Sequence, residues 1–346
     1  MNAGLKKKIK KTILSLEMNY STSLAYEIIH RILRMPGAFG ALDSVLVAPG
    51  GTDEAVVVSG SPRSGTTWLA EMLANASKKH SLVDEPLHLK NLLLQRHTTI
   101  QEWRPYVAPD SHAPRLRRYL EFTLQGRIPQ GHKDRTVQSL LHRLIWGSPV
   151  VVKFVRGSRL LHWIANNFSL RGIVLLIRHP CAVVSSQITY KTPEWRNTKI
   201  PKPSQLQKSF EGWIPDALFD KYEYVLRSID SEVGKLAVMW CLDTYIPLSF
   251  EDGPVPGHIV TYESLLDNTE KELCDILDYL RLPSSYCLAI EKVNPSSSAS
   301  KDLRLKTEEQ LSKWKSRLKP SEIDEILRVV DEFGISTYDD TIRPKI

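Results

Sequence analysis

Two stretches of this chain bring together residue types that suit an anionic ligand. The first is Gly60-Ser61-Pro62-Arg63-Ser64-Gly65-Thr66-Thr67-Trp68. Its paired glycines, its hydroxyls and the planar fork of Arg63 offer a phosphate backbone N–H groups, O–H donors and a positive charge. The spacing nearly matches the nucleotide-binding motif G-x-x-x-x-G-K-[ST]. It departs at Thr66, which stands where that motif has its lysine, and the nearest cation moves back to Arg63. The second stretch opens with Arg178 and carries Ser185 and Ser186. An arginine and a serine meeting at a sheet edge would make a second anion site. Two more residues join them. Lys153 lies inside the apolar run 149–155, so it either faces a ligand from a strand end or snorkels to the surface. Its place in the pattern favours the ligand. Glu85 lies in Asp84-Glu85-Pro86-Leu87-His88, a loop or helix start. An acid beside proline is most often solvated or helix-terminal. Loops of this kind, however, return at the carboxyl ends of strands, where open α/β sheets bind ligands.

The surrounding elements must position these groups. Val56, Val57 and Val58 form a β-branched run before the first turn. Trp68, Leu69, Met72 and Leu73 follow it at helical spacing, which predicts strand, loop and helix over 56–76. Residues 149–155 and 172–177 read as buried strands, with a helix over 158–168 between them and another after Arg178. His179 reads as a capping or surface residue. Strands alternating with helices predict an α/β fold in three layers, a central parallel sheet flanked by helices. A helix over 232–249 turns Val233, Leu236, Ala237 and Trp240 inward, with Trp240 read as core. A short strand over 259–263, a helix over 269–280 and a last helix through Phe333 complete the pattern.

The expected organisation is an N-terminal basic helical segment over 1–50 and one α/β domain over 51–346. Leu24, Ile28, Ile29, Ile32 and Leu33 form an apolar face on the N-terminal helix that suits docking on the core. The basic run Lys6-Lys7-Lys8-Ile9-Lys10-Lys11 leaves room for weak contact with a membrane surface. Residues 101–147 read as helices and loops of a lid or acceptor side, and 190–215 as a long loop fit for an acceptor flap. Net charge is +7, a modest excess that suits an anionic small molecule. Zinc-finger, basic-zipper and RNA-binding signatures are lacking, which ranks nucleic acid last. Cys181, Cys241, Cys274 and Cys287 are scattered among apolar neighbours and read as reduced, buried thiols. That points to a reducing, cytoplasmic setting. No metal-ligand spacing appears, so no metal is expected. No apolar run reaches the ~18 residues of a transmembrane helix.

The motif 62–68 resembles the 5′-phosphosulfate loop of sulfotransferases that use 3′-phosphoadenosine-5′-phosphosulfate (PAPS). Arg178 followed by Ser186 resembles that family's 3′-phosphate motif. Tyr262-Glu263-Ser264-Leu265 looks like its late strand, and Trp240 sits in a similar helix. The similarity spans roughly residues 55–335. The resemblance implies that Arg63, Ser64, Gly65, Thr66 and Thr67 hold the phosphosulfate and that Trp68 lies against adenine. It implies that Arg178 and Ser186 grip the 3′-phosphate and that Lys153 reaches the sulfuryl or bridging oxygens. The aryl-type branch has a histidine two residues after that lysine, where this chain has Val155. The Glu-Pro element resembles the carbohydrate-type and bacterial branches. Glu85 is therefore the expected catalytic base, with His88 next in line. The family's Gly-rich C-terminal cofactor loop is missing, and the basic stretch 301–314 stands in its place.

The implied reaction moves a sulfuryl group from PAPS, as co-substrate, to the hydroxyl of a glycan or other small acceptor. Its nearest physical template is phosphoryl transfer, in which positioning and charge stabilisation do most of the catalysis. Two alternatives stand beside it. One is a P-loop kinase or NTPase, opposed by Thr66 and by Arg178 where a magnesium-binding acid would stand. The other is a non-catalytic nucleotide-binding or membrane-surface protein.

Overall fold

A computed structural model of the chain describes residues 22–35, 38, 51–77, 79–128, 136–190, 214–249, 253–283 and 307–345. Five strands form one sheet: β1 (Val56–Ser59), β2 (Ser81–Asp84), β3 (Val150–Phe154), β4 (Gly172–Ile177) and β5 (His258–Thr261). Their order is β2-β3-β1-β4-β5, and every neighbouring pair is parallel. All carboxyl ends therefore lie along one edge. The chain leaves β1 toward β2 on one side and leaves β4 toward β5 on the other. The reversal between β1 and β4 opens a crevice of the kind in which open α/β sheets bind ligands.

Period-two alternation gives the sheet two apolar faces. Val56, Val58, Val151, Val174, Leu176 and Val260 share one core with Leu69, Met72 and Leu73 of α2 (Thr66–Ser77). Leu273, Ile276 and Leu277 of α11 (Thr269–Tyr279) join that core. Val57, Val150, Val152, Phe154, Ile173, Leu175 and Ile177 turn the other way. They pack with α6 (Leu161–Asn167), α7 (Pro180–Thr189), α9 (Glu232–Ser249) and α13 (Pro320–Glu332). Helices thus cover both faces, and the expected three-layer α/β architecture is present. Both faces being covered is why the strands read as unbroken apolar runs.

The helix α1 (Thr22–Leu33) docks through Ala25, Ile29 and Leu33, which belong to the same core as the sheet, while Leu24 lies exposed. Ile28 and Ile32 pack beside them, so the expected face holds apart from Leu24, and Ala25 joins it. The remaining elements are α3 (Leu92–His97), α4 (Pro114–Leu124), α5 (Val137–Trp146), α8 (Asp216–Ser228), α10 (Tyr262–Asp267) and α12 (Thr307–Ser312). The stretch from Tyr262 to Leu265, expected on a strand, instead opens α10. Thr261 caps that helix by accepting from the Ser264 N–H, so β5 stops before Tyr262. The helix expected over 158–168 begins as a 3₁₀ turn, Ser158–Leu160. Residues 191–213 and 284–306 lie outside the described residues, so the acceptor flap and most of the basic 301–314 stretch do too. Trp314 is buried and stacks on His179, which makes it a core residue.

The reading of the cysteines holds in part. Cys181 and Cys241 are free and buried, but Cys274 is disulfide-bonded, its partner falling outside the described residues. Scattered positions carry no pairing signal, so composition could not reveal the bond. Among the described residues no helix is long and apolar enough to cross a membrane.

Beneath the first turn lies a buried ionic cluster. Asp243, on α9, accepts from Arg104 Nη1 at 2.8 Å and from Arg159 Nε at 3.0 Å. Ser61 donates its hydroxyl to the same carboxylate at 3.2 Å, which ties the turn after β1 to α9. Burial pulls Arg159 down to about 10, against the pull of Asp243. Removing the acid would leave two buried guanidinium ions without their shared counter-charge. Asp243→Ala is expected to cost about 3–5 kcal/mol of stability in urea titration. Arg104→Met, by contrast, should cost less, because Arg159 would keep its pair.

Candidate active site

The turn after β1 is built by backbone approach and cross-bracing. A Cβ on Gly60 would lie 2.3 Å from the Leu176 carbonyl oxygen. Gly65 has φ +99°, and a Cβ there would lie 2.6 Å from the Tyr262 ring. Both sites therefore demand glycine. Ser64 N–H donates back to the Ser61 carbonyl, and Leu69 N–H to that of Gly65, which starts α2. Gln187 Nε2 donates to the Pro62 carbonyl at 2.9 Å, and Arg178 Nη1 to the Arg63 carbonyl at 3.1 Å. Between these braces Arg63 takes φ 75°, a left-handed conformation costly for a side-chain-bearing residue. The turn is held open by its neighbours, not by its own preference.

Arg63 lies on the β4 side of the turn. Its Nε donates to Ser186 Oγ at 3.2 Å, and its guanidinium stacks 3.9 Å above the Tyr190 ring. Arg178 stacks 4.1 Å from the centroid of Tyr262. Burial, together with the charge of Arg178, lowers the Arg63 pKa. Neither arginine is ion-paired with a carboxylate among the described residues. Two like charges and a serine hydroxyl thus converge at the crevice between β1 and β4. The resemblance assigned Arg63 to a 5′-phosphosulfate and Arg178 with Ser186 to a 3′-phosphate, and here the three side chains lie together.

Lys153 lies on the opposite flank. Alternation places it on the Val151 face of β3, the face that α2 covers. From the strand end its Nζ donates to Thr67 Oγ1 at 3.0 Å and pairs with Asp84 Oδ1 at 2.6 Å. It is therefore buried between β2 and the start of α2 and does not extend to the surface. Trp68 packs edge-on to Tyr262 with centroids 6.0 Å apart. Thr66 is buried with its methyl toward Gly60. Ser64 Oγ is fully buried and has no hydrogen-bond partner. An orphaned hydroxyl in an amide-rich turn at the start of a 12-residue helix fits an anion that would satisfy it.

Glu85 is brought to the same edge but engaged there. Its Oε1 accepts the Val155 N–H at 2.5 Å, and its Oε2 pairs with Arg156 Nη1 at 2.8 Å. Its backbone has φ 45°. Arg156 in turn faces the Trp103 ring at 4.9 Å, and His88 meets Trp103 edge-on at 5.4 Å. His88 Nδ1 accepts the Lys90 N–H. Reading by residue type missed Asp84, Tyr190, Tyr262 and Arg156. Asp84 carried a signal in its adjacency to Glu85, and Tyr262 in the late-strand resemblance, where its place beside the turn was not foreseen.

No family model matches the chain, and no curated protein matches it. Among solved structures the chain is similar to the sulfotransferase domain from the curacin biosynthetic pathway. The identity is 17%, the coverage 83% of this chain and 98% of that one, and the TM-score 0.42. It is similar to the sulfotransferase domain of the Synechococcus PCC 7002 olefin synthase at 17% identity, 85% and 98% coverage and TM-score 0.43. It is also similar to mouse sulfotransferase SULT7A1, solved with PAP, at 12% identity, 87% and 88% coverage and TM-score 0.38.

Behind Arg178 lies a neutral histidine. His179 Nε2 donates to the Asp339 carbonyl, while Nδ1 accepts the Cys181 N–H and caps α7. A second ring proton would collide with that N–H, and burial drives the His179 pKa down to about 4 from 6.5. Because the folded value lies below the unfolded one, its stabilisation is complete above pH 6.5 and is lost as pH falls toward 4. Glu263, raised by burial, works in the opposite sense. Melting temperature is expected to fall between pH 6.5 and 4.5, with His179 contributing about 1.4 kcal/mol per unit. In His179→Asn that slope should flatten.

Proposed function

We propose that the chain transfers a sulfuryl group from PAPS to a hydroxyl acceptor. The observation that carries this reading is the pair Arg63 and Arg178, converging with Ser186 on one flank of a phosphate-type turn. Lys153 and Thr67 stand on the other flank. Between them runs a turn whose lysine position holds a buried threonine. A nucleoside triphosphate places its charge in one run along such a turn. A nucleotide with a 3′-phosphate and a 5′-phosphosulfate places charge at two separated points. The β3, β1 and β4 ends span about 10 Å at a strand spacing of ~4.8 Å, and they offer cations on both flanks.

In this reading Arg63, Arg178 and Ser186 hold the 3′-phosphate. The turn from Ser64 to Thr67 holds the 5′-phosphosulfate, with Ser64 Oγ gaining the partner it lacks. Trp68 and Tyr262 flank the adenine. When bound, PAPS supplies the activated sulfuryl group. Lys153 and the turn's N–H groups oppose the charge that grows on the leaving phosphate and the sulfuryl oxygens, which is where preorganised donors act most strongly. The acceptor is a glycan or other small hydroxyl compound, approaching from the β2 and β3 ends.

Adenosine 3′,5′-bisphosphate (PAP) is expected to raise the melting temperature without metal, and ATP with Mg²⁺ to do so far less. Arg178→Ala should weaken bisphosphate binding in calorimetry by roughly 10- to 100-fold, the loss of a charged hydrogen bond worth about 1.5–3 kcal/mol. Unchanged affinity in that variant would reject this assignment of the 3′-phosphate site.

A further inference from the structure

We infer that Asp84, and not Glu85, is the carboxylate that takes the acceptor's proton. This rests on the sulfuryl-transfer reading above. The two acids are consecutive and turn to opposite sides. Asp84 is the register partner of Lys153, and paired residues in a parallel ladder face the same way. Its side chain therefore lies over the α2 face, beside the turn. Glu85 turns away, toward Val155 and Arg156.

Accessibility separates them as well. The Glu85 side chain is 12% exposed, with a backbone N–H on one oxygen and a guanidinium on the other. The Asp84 side chain is 61% exposed, and Lys153 engages only its Oδ1. A general base must reach the proton it removes, so geometry selects before acidity does. Asp84 Oδ2 is open to an acceptor entering from solvent, and Lys153 links Asp84 to Thr67 through two contacts. The ammonium thus has two tasks. It steadies the carboxylate, and it stands where it can follow charge onto the sulfuryl oxygens.

The step balances as follows. A bond forms from the acceptor oxygen to sulfur as the bond from sulfur to the 5′-phosphate oxygen breaks. The electron pair of the broken bond leaves with that phosphate oxygen. The acceptor proton passes to Asp84 Oδ2 and from there to solvent. Glu85 is a positioning residue. It fixes the end of β3 through Val155 and holds Arg156 against Trp103.

The test compares wild type, Asp84→Asn, Asp84→Ala and Glu85→Gln. Three quantities are read: transfer of labelled sulfuryl from PAPS to a panel of a phenol, a disaccharide and a sterol, calorimetric affinity for PAP, and melting temperature. Asp84→Asn and Asp84→Ala are expected to lose transfer by ~10²- to 10⁴-fold with PAP affinity and melting temperature unchanged. Added formate should restore part of the rate in Asp84→Ala and none in Glu85→Gln. Glu85→Gln should lower the melting temperature and keep measurable transfer. Wild-type transfer by Asp84→Asn, with Glu85→Gln stable and inactive, would overturn the assignment while leaving sulfuryl transfer standing. Absence of both transfer and PAP binding in the wild type would overturn the reading and this inference together.

Discussion

Two guanidinium ions held side by side dominate this structure. Arg63 and Arg178 project from the turns after β1 and β4, adjacent strands of a parallel sheet, so the register of the sheet itself brings them together. Their repulsion is met by aromatic faces, Tyr190 under one and Tyr262 under the other, and by a serine hydroxyl. Cation–π contacts shield such charges but do not neutralise them. Two cations kept together this way, with Arg63 in a strained conformation, are the preorganisation that the proposed anion site requires.

Much of the rest supports that pair. Trp240, deep in α9, donates its indole N–H to the Arg178 carbonyl and fixes the chain where β4 ends. Glu263 accepts the His179 N–H and the Tyr338 hydroxyl, which ties the C-terminal stretch to the back of the same site. Asp243 holds Ser61 from below. The polar residues buried behind the site thus act on its shape, each gripping backbone or hydroxyl at the root of one turn.

The legible part of the sequence was the part governed by local rules. Val56, Val57 and Val58 announce a strand, and the glycines announce a turn. Trp68, Leu69, Met72 and Leu73 announce the helix. Apolar runs over 150–154 and 172–177 announced two more strands, so the parallel sheet followed. Side-chain direction at strand ends was not legible. Asp84 and Glu85 are equivalent as letters, and only the pairing of β2 with β3 distinguishes them. The end of β5 was misplaced for a similar reason. Tyr262 has strand propensity, yet the Thr261 cap overrides it. On α1 the expected face held at Ile28, Ile29, Ile32 and Leu33, and only Leu24 points to solvent. The Cys274 disulfide left no trace in spacing at all.

The central claim is that the turn between β1 and α2 handles a sulfuryl donor and not a triphosphate. Incubation of the full chain with radiolabelled PAPS and, separately, with labelled ATP and Mg²⁺, each over glycan, phenol and lipid extracts, tests it most directly. The account predicts label carried from PAPS into a hydroxyl-bearing product, with one equivalent of adenosine 3′,5′-bisphosphate released for each sulfate transferred, and no transfer from ATP. Label moved from ATP alone would contradict it.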